Sequence, residues 1–153
     1  MLIRLLYASR SKSHIDKSAI ESILAKSRVN NPEIGVTGIL CYGGDIYMQV
    51  LEGGRDAVNQ LYNVIVRDPR HDNVMMLHYE EVSERRFAGW TMGQVNLEKL
   101  NPTTLLKYSE KPVLNPFAIS GKVSMALLEE LILTASIIGR ADTARTPPLH
   151  TAA

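Results

Sequence analysis

The chain has 153 residues, 45% apolar and 22% charged, enough for one domain around a single core and too apolar for wholesale disorder. A net charge of +1 argues against a nucleic-acid footprint or an acidic tail, and a lone cysteine, Cys41, excludes an intramolecular disulfide and a cysteine-rich metal site. The N-terminus has no signal-peptide anatomy, and the longest apolar stretch, Met125–Ile138, is broken by Glu129 and Glu130 and is too short to span a bilayer, so a cytoplasmic protein is expected, with no membrane or nucleic-acid partner.

Leu2–Ala8 reads as a buried strand, with Ile3, Leu5 and Tyr7 on one face and Leu2 and Leu6 on the other. Asp16 can cap a helix in which Ala19, Ile20, Ile23, Leu24 and Ser27 recur at helical spacing. Asn30-Asn31-Pro32 is expected to stop it, because the residue before a proline disfavours the α conformation. Val36–Tyr42 is a second strand, joined through the turn signal Gly43-Gly44 to a third strand around Gln49 as a hairpin. A second helix is expected from about Arg55 to Arg67, apolar at Val58, Leu61, Val64 and Ile65 and ended by Pro69. Val74–Val82 and Ala88–Val95 are the fourth and fifth strand candidates.

The order β-α-β-β-α-β-β predicts an α+β, ferredoxin-like sheet, mainly antiparallel, with both helices on one face. The other face needs cover. Candidates are a short helix from Asn101-Pro102 to about Tyr108 and, after a connector at Lys111–Pro116, a longer helix over Ser120–Ile138 with Val123, Leu127, Leu131 and Ala135 on one stripe. Arg140–Ala153, with two prolines and small residues, reads as a loose tail. The expected organisation is a binding domain over 1–96, a helical extension over 97–138 and a tail over 139–153.

Within this scheme Gln49 is out of place. Tyr47, Gln49 and Leu51 share one strand face, and Met48 and Val50 the other, so the amide points into apolar surroundings. Burying it without partners costs about 2–7 kcal/mol, so it must find polar atoms inside. The ferredoxin-like order makes the first and third strands neighbours, which can set Tyr7 beside Gln49 on the helix-covered face, with Asn31 at the edge of the cleft between the helices. Ile23 and Ile65 could form its two walls. A phenol and two amides around an apolar slot suit a flat heteroaromatic ligand; equally, Tyr7 and Gln49 could simply satisfy each other in the core.

Other chemistry is thin. The sequence has no Gly-rich phosphate loop followed by Lys-Ser/Thr, no nucleophile elbow and no helical His pair. His14, His71, His78 and His150 are scattered without ligand spacing, so no metal site is expected. Arg67, Arg70 and His71 form a basic group at a helix end, suited to the helix dipole or to a phosphate.

Taken together, Leu6-Tyr7-Ala8-Ser9, Asn31 with Val36-Thr37-Gly38-Ile39-Leu40, Gln49-Val50-Leu51-Glu52-Gly53, Arg67-Asp68-Pro69-Arg70-His71 and Arg86-Phe87-Ala88-Gly89-Trp90-Thr91-Met92 resemble the BLUF domain, a blue-light sensor that holds a flavin non-covalently. The resemblance covers about residues 1–96, with the motifs in the family's order. It implies that Tyr7 is the photochemical electron and proton donor and Gln49 the hydrogen-bond switch, with Asn31 as the amide to the flavin ring. It places Ser27, Trp90 and Met92 near the Tyr–Gln pair, the last two as a relay, and Arg67, Asp68, Arg70 and His71 on the ribityl and phosphate side. The implied cofactor is FAD, with FMN or riboflavin as alternatives.

The expected function is therefore a photoreceptor and not a turnover enzyme. No output enzyme follows in this sequence, so the signal is expected to pass to a separate protein, a cyclic-nucleotide enzyme being the candidate, and self-association is expected as well. Trp90 and Met92 are expected on one face of the fifth strand. The rival readings are a ferredoxin-like binding or assembly module without photochemistry and a small flavin-dependent oxidoreductase.

Overall fold

The first strand, β1 (Leu2–Ser11), is buried from Ile3 to Ser9 on both faces, so it has to lie inside a sheet covered on both sides. A computed structural model of the chain describes residues 1–134 and 136–139. In it β1 is followed by α1 (Lys17–Ile34), β2 (Thr37–Gly43), β3 (Ile46–Gly54), α2 (Arg55–Arg67), β4 (His71–Val82) and β5 (Gly93–Asn96). A 3₁₀ turn at Leu97–Lys99 leads to α3 (Pro102–Leu106) and α4 (Gly121–Leu133). The sheet order is β4-β1-β3-β2-β5, antiparallel except for the β2–β5 pair. This is the expected ferredoxin-like α+β arrangement.

The sheet separates two cores. On one side Ile3, Leu5, Tyr7 and Leu51 meet Ile20 and Leu24 of α1 and Val58 of α2. On the other, Leu6, Ile39, Met48 and Val50 meet Leu127, Leu128 and Leu131 of α4, with Phe87, Trp90, Leu105 and Leu114 around them. Leu127, Leu128 and Leu131 are wholly buried, and each such burial contributes about 1.5–3 kcal/mol. The C-terminal segment thus covers the face that the two helices leave bare.

Several boundaries differ from the sequence reading, and the first strand runs on past Ala8 to Ser11. The first helix does not stop at Asn30-Asn31-Pro32. It runs through Pro32 to Ile34, because a proline in the last turn forfeits one backbone bond, and the true stop is Gly35 in the left-handed conformation at φ 69. Asn31 is therefore helical and buried, not beyond the helix end. The fourth strand begins at His71, since its first residues pair across a register irregularity with Arg10 and Ser11.

The fifth strand is shorter than Ala88–Val95, because residues before Gly93 are engaged elsewhere: Arg86 and Phe87 donate their N–H groups to Glu52, and Trp90 C=O accepts from Gly38 N–H at 2.9 Å. The last helix ends at Leu133. Beyond its cap at Thr134, Ile137 turns into the core and Ile138 forms a two-bond bridge with Gln94 that protects the β5 edge. Ala135 and the proposed tail beyond Gly139 lie outside the described residues.

Candidate functional site

Tyr7 on β1 and Gln49 on β3 are directly opposed in the antiparallel register, which puts both side chains on the face covered by α1 and α2. The Tyr7 Oη donates to Gln49 Oε1 at 2.5 Å, and Gln49 Nε2 donates to Met92 Sδ at 3.2 Å. The buried amide is thus bonded strongly on one side and weakly on the other, since a thioether sulfur is a poor acceptor.

This pair floors a cavity of about 150 Å³ between the two helices. Ile23 of α1 forms one wall, and Leu61, Val64 and Ile65 of α2 the other. Leu40 and Tyr47 complete the floor, while Lys26, Ser27, Asp68, Arg70 and His71 line the rest. Asn31 also lines it; the residue is 3% exposed, and its Nδ2 finds no partner among the described residues. An amide donor left over in a buried position is a recognition element for an acceptor-edged ligand.

Burial holds the Tyr7 phenol far above its ordinary pKa, with smaller contributions from Tyr47, Tyr62 and Asp68, so it is a neutral donor. Its ring has Tyr62 at 5.9 Å and His71 at 6.5 Å between centroids. His71 is bonded to Ser9 Oγ through Nδ1 at 2.7 Å, and burial lowers its pKa although Asp68 pulls the other way. Arg70 bonds both Asp68 oxygens, at 2.6 Å for its closest contact, and holds that carboxyl down to about 2.

The structure brings together Tyr7, Ile23, Ser27, Asn31, Gln49, Ile65, Asp68, Arg70 and His71 in one cleft. Arg67, at the exposed end of α2, is not among its lining residues. Trp90 and Met92 do not share a strand face, because both precede β5: Met92 belongs to the helix-side core under Gln49 and Trp90 to the α4-side core. The sequence reading missed Lys26, Leu40, Tyr47, Leu61 and Val64 as lining residues. Their signal was the period: Lys26 is three positions after Ile23, Leu61 and Val64 precede Ile65 on its helical face, and Tyr47 shares a strand face with Gln49.

Residues 2–93 match the family model described as sensors of blue light using FAD. The chain belongs to the BLUF family. The blue light- and temperature-regulated antirepressor BluF of Escherichia coli is 34% identical over 88 residues, 58% of this chain and 22% of that protein. The photoactivated adenylate cyclase subunit beta of Euglena longa is 32% identical over 100 residues, 65% of this chain and 12% of that one. The chain thus spans less than a quarter of either relative. Among solved structures, BlsA in its photo-activated state superposes with a TM-score of 0.77 at 29% identity over 87% of this chain and 96% of that one. The BLUF protein BlrB in its dark state gives 0.72 at 32% identity, over 88% and 96%.

BLUF domains bind a flavin, and the cleft's lining has the chemistry for one: apolar walls, a polar floor and the spare Asn31 donor suit a flat ring with acceptors on its edge. The family's description is of a sensor, which sets aside both the cofactor-free module and the oxidoreductase. Among the described residues there is no group of three or more His, Cys, Asp or Glu that could hold a metal ion, and no helix long and apolar enough to cross a membrane.

Proposed function

We propose that this chain senses blue light through a hydrogen-bond switch formed by Tyr7, Gln49 and Met92 and passes the signal, in the cytoplasm, to a separate protein. The observation that carries this reading is the buried 2.5 Å bond from Tyr7 Oη to Gln49 Oε1 on the floor of the cleft. FAD held there would supply light absorption and an excited state able to draw an electron from a nearby aromatic ring. Ile23 and Ile65 would hold its ring, Asn31 would meet a polar edge, and Lys26, Arg70 and His71 are suited to its outer part. FMN or riboflavin would use the same floor and walls.

Tyr7 is the electron source. Its phenol is neutral in the resting state, and loss of an electron makes it a strong acid whose proton has Gln49 Oε1 as its acceptor. Once the electron and a proton have returned to Tyr7, Gln49 would be left rotated or as its tautomer, with a changed hydrogen-bond pattern. A rotated amide turns Nε2 toward the phenol and Oε1 toward Met92 Sδ, exchanging a weak bond for a poor contact. The sulfur side of that exchange costs little, and Nε2–H can donate to the phenol oxygen in place of the bond that Oε1 accepted, so the switch can run both ways.

The test is spectroscopic. Purified protein loaded with FAD should shift its absorption to the red under blue light, without bleaching, and recover in darkness; Tyr7→Phe should keep the flavin and lose the persistent shift. Bleaching instead of a shift would overturn the hydrogen-bond switch, and a persistent shift in Tyr7→Phe would remove Tyr7 from the mechanism.

For the output, residues 97–138 form the contact surface for self-association and for the downstream partner. Support comes from the packing of α4 directly behind the strands that carry the switch. The relatives' names include an adenylate cyclase and an antirepressor, which makes a cyclic-nucleotide enzyme the first partner to test.

A further inference from the structure

Three residues after Gln49, on the opposite face of β3, stands Glu52, a fully buried carboxylate that the photoswitch itself does not use. Its Oε1 accepts from Phe87 N–H at 2.6 Å. Its Oε2 accepts from Arg86 N–H at 3.0 Å and from Arg4, at 2.9 Å through Nε and 2.8 Å through a terminal nitrogen. Arg4 is 6% exposed and divides its charge between Glu52 and Glu80. A buried carboxylate with this many charge-assisted bonds is a rigid object.

What it grips is the segment between β4 and β5. Residues 83–92 lie outside both strands, yet they end at Met92, the sulfur that receives Gln49 Nε2. The segment is tied at two further points, by Gly38 N–H to Trp90 C=O and by the turn bond from Trp90 N–H to Phe87 C=O. It also reaches α4, where Arg86 Nε lies 3.5 Å from Glu129. Glu52 and Gln49 are thus two side chains of one strand that hold the two ends of one irregular segment, from opposite faces of the sheet.

We propose that Glu52 is a positioning residue of the switch: it is the fixed anchor of the 86–92 segment, and it keeps Met92 where Gln49 can bond it in the dark. With Arg86 and Phe87 held, a change at Gln49 is taken up at the Met92 end alone. The proposal rests on the Tyr7–Gln49–Met92 reading and adds the residue that gives it a direction.

In Glu52→Gln the amide offers one carbonyl oxygen where the carboxylate offers two, and its NH2 faces donors. The two backbone N–H groups and Arg4 then compete for that oxygen. The red shift should persist, because Tyr7 and Gln49 are untouched. Recovery in darkness should slow by roughly two- to fivefold, within the effect of losing the bond to sulfur altogether, because Gln49 returns to a sulfur no longer held in place. A purely structural Glu52 would lower the Tm and leave recovery below the melting transition unchanged, and that result overturns the proposal.

A measurement on the unmodified protein covers the case in which Glu52→Gln does not fold. Amide NMR of the FAD-loaded chain in darkness and under blue light should show Arg86 and Phe87 unmoved and Met92 and Gly93 shifted. If Arg86 and Phe87 shift as much as Met92, the anchor does not exist. If no amide of β3 or of this segment responds to light, the switch reading itself fails, a distinct result.

Discussion

Trp90 and Met92 are two residues apart and lie on opposite sides of the sheet. Met92 is under Gln49 on the cleft side, while Trp90 packs near Phe87 on the α4 side, with 6.4 Å between the ring centroids. The backbone between them runs along the edge of β2, where Trp90 C=O is bonded to Gly38. Two peptide units thus join the residue under Gln49 to one on the far face.

Met92→Ala should keep flavin and the red shift while slowing dark recovery. The sulfur is the acceptor for Gln49 Nε2 in the dark, so its removal takes away a bond that forms as the amide swings back and raises the barrier to recovery. A bond of this weak kind is worth about 0.5–1.5 kcal/mol at most, so the effect should be roughly two- to tenfold. The decay of the red-shifted absorption after illumination measures it, and an unchanged decay would leave Met92 as filler.

Asn31→Ala should weaken flavin binding more than Gln49→Leu does. Asn31 Nδ2 is buried without a partner among the described residues, so its bonding capacity is free for the ligand, whereas the Gln49 amide is already bonded to Tyr7 and Met92. Removing a ligand's partner typically costs about 1–3 kcal/mol, or roughly five- to 150-fold in Kd. Titration of both variants with riboflavin, which lacks the phosphates, would decide; equal affinities would remove the anchoring role of Asn31.

The pairing of Tyr7 with Gln49 was legible in the sequence because it depends only on strand order and on a period of two. The cover provided by α4 was legible because its apolar arc is too wide for a free surface helix. The segment before β5 was not. Its apolar residues Phe87, Trp90 and Met92 look like strand positions, but a buried carboxylate from another strand captures two of its N–H groups, and a long-range bond of that kind leaves no local signature. Pro32 misled for a related reason: the rule that proline ends a helix concerns helix interiors, and here a glycine three residues later sets the end.

Acidification should destabilise the fold through His71. Burial lowers its pKa in the folded chain, so the unfolded chain binds the proton first and stability falls as the pH drops below about 6.5. Asp68, held down to about 2 by Arg70, stays ionised throughout that window and does not contribute to the slope. His71→Gln can still bond Ser9 but cannot titrate, so its Tm should fall less between neutral pH and about pH 5. Parallel Tm curves for the two proteins would show that His71 is not the responsible group.

Gly121→Ala should separate output from photochemistry. Gly121 opens α4, and a Cβ placed there would lie 2.0 Å from the Leu77 carbonyl oxygen on β4, a backbone contact that no rotamer can relieve. Alanine otherwise favours a helix over glycine by about 0.8–1.0 kcal/mol, so any harm must come from this contact, which lifts the start of α4 off the sheet. The cleft lies on the other face, and its lining residues include none from α4. Flavin binding and the red shift should be retained. Apolar surface from Leu6, Ile39, Met48 and Val50 should become accessible, read as dye binding and as a change in size-exclusion profile. Truncation after Asn96 should do the same more severely. If Gly121→Ala keeps both its oligomeric state and its light-dependent contact with a partner while α4 is shown to be displaced, the output surface belongs to residues 1–96 and not to the helices behind them.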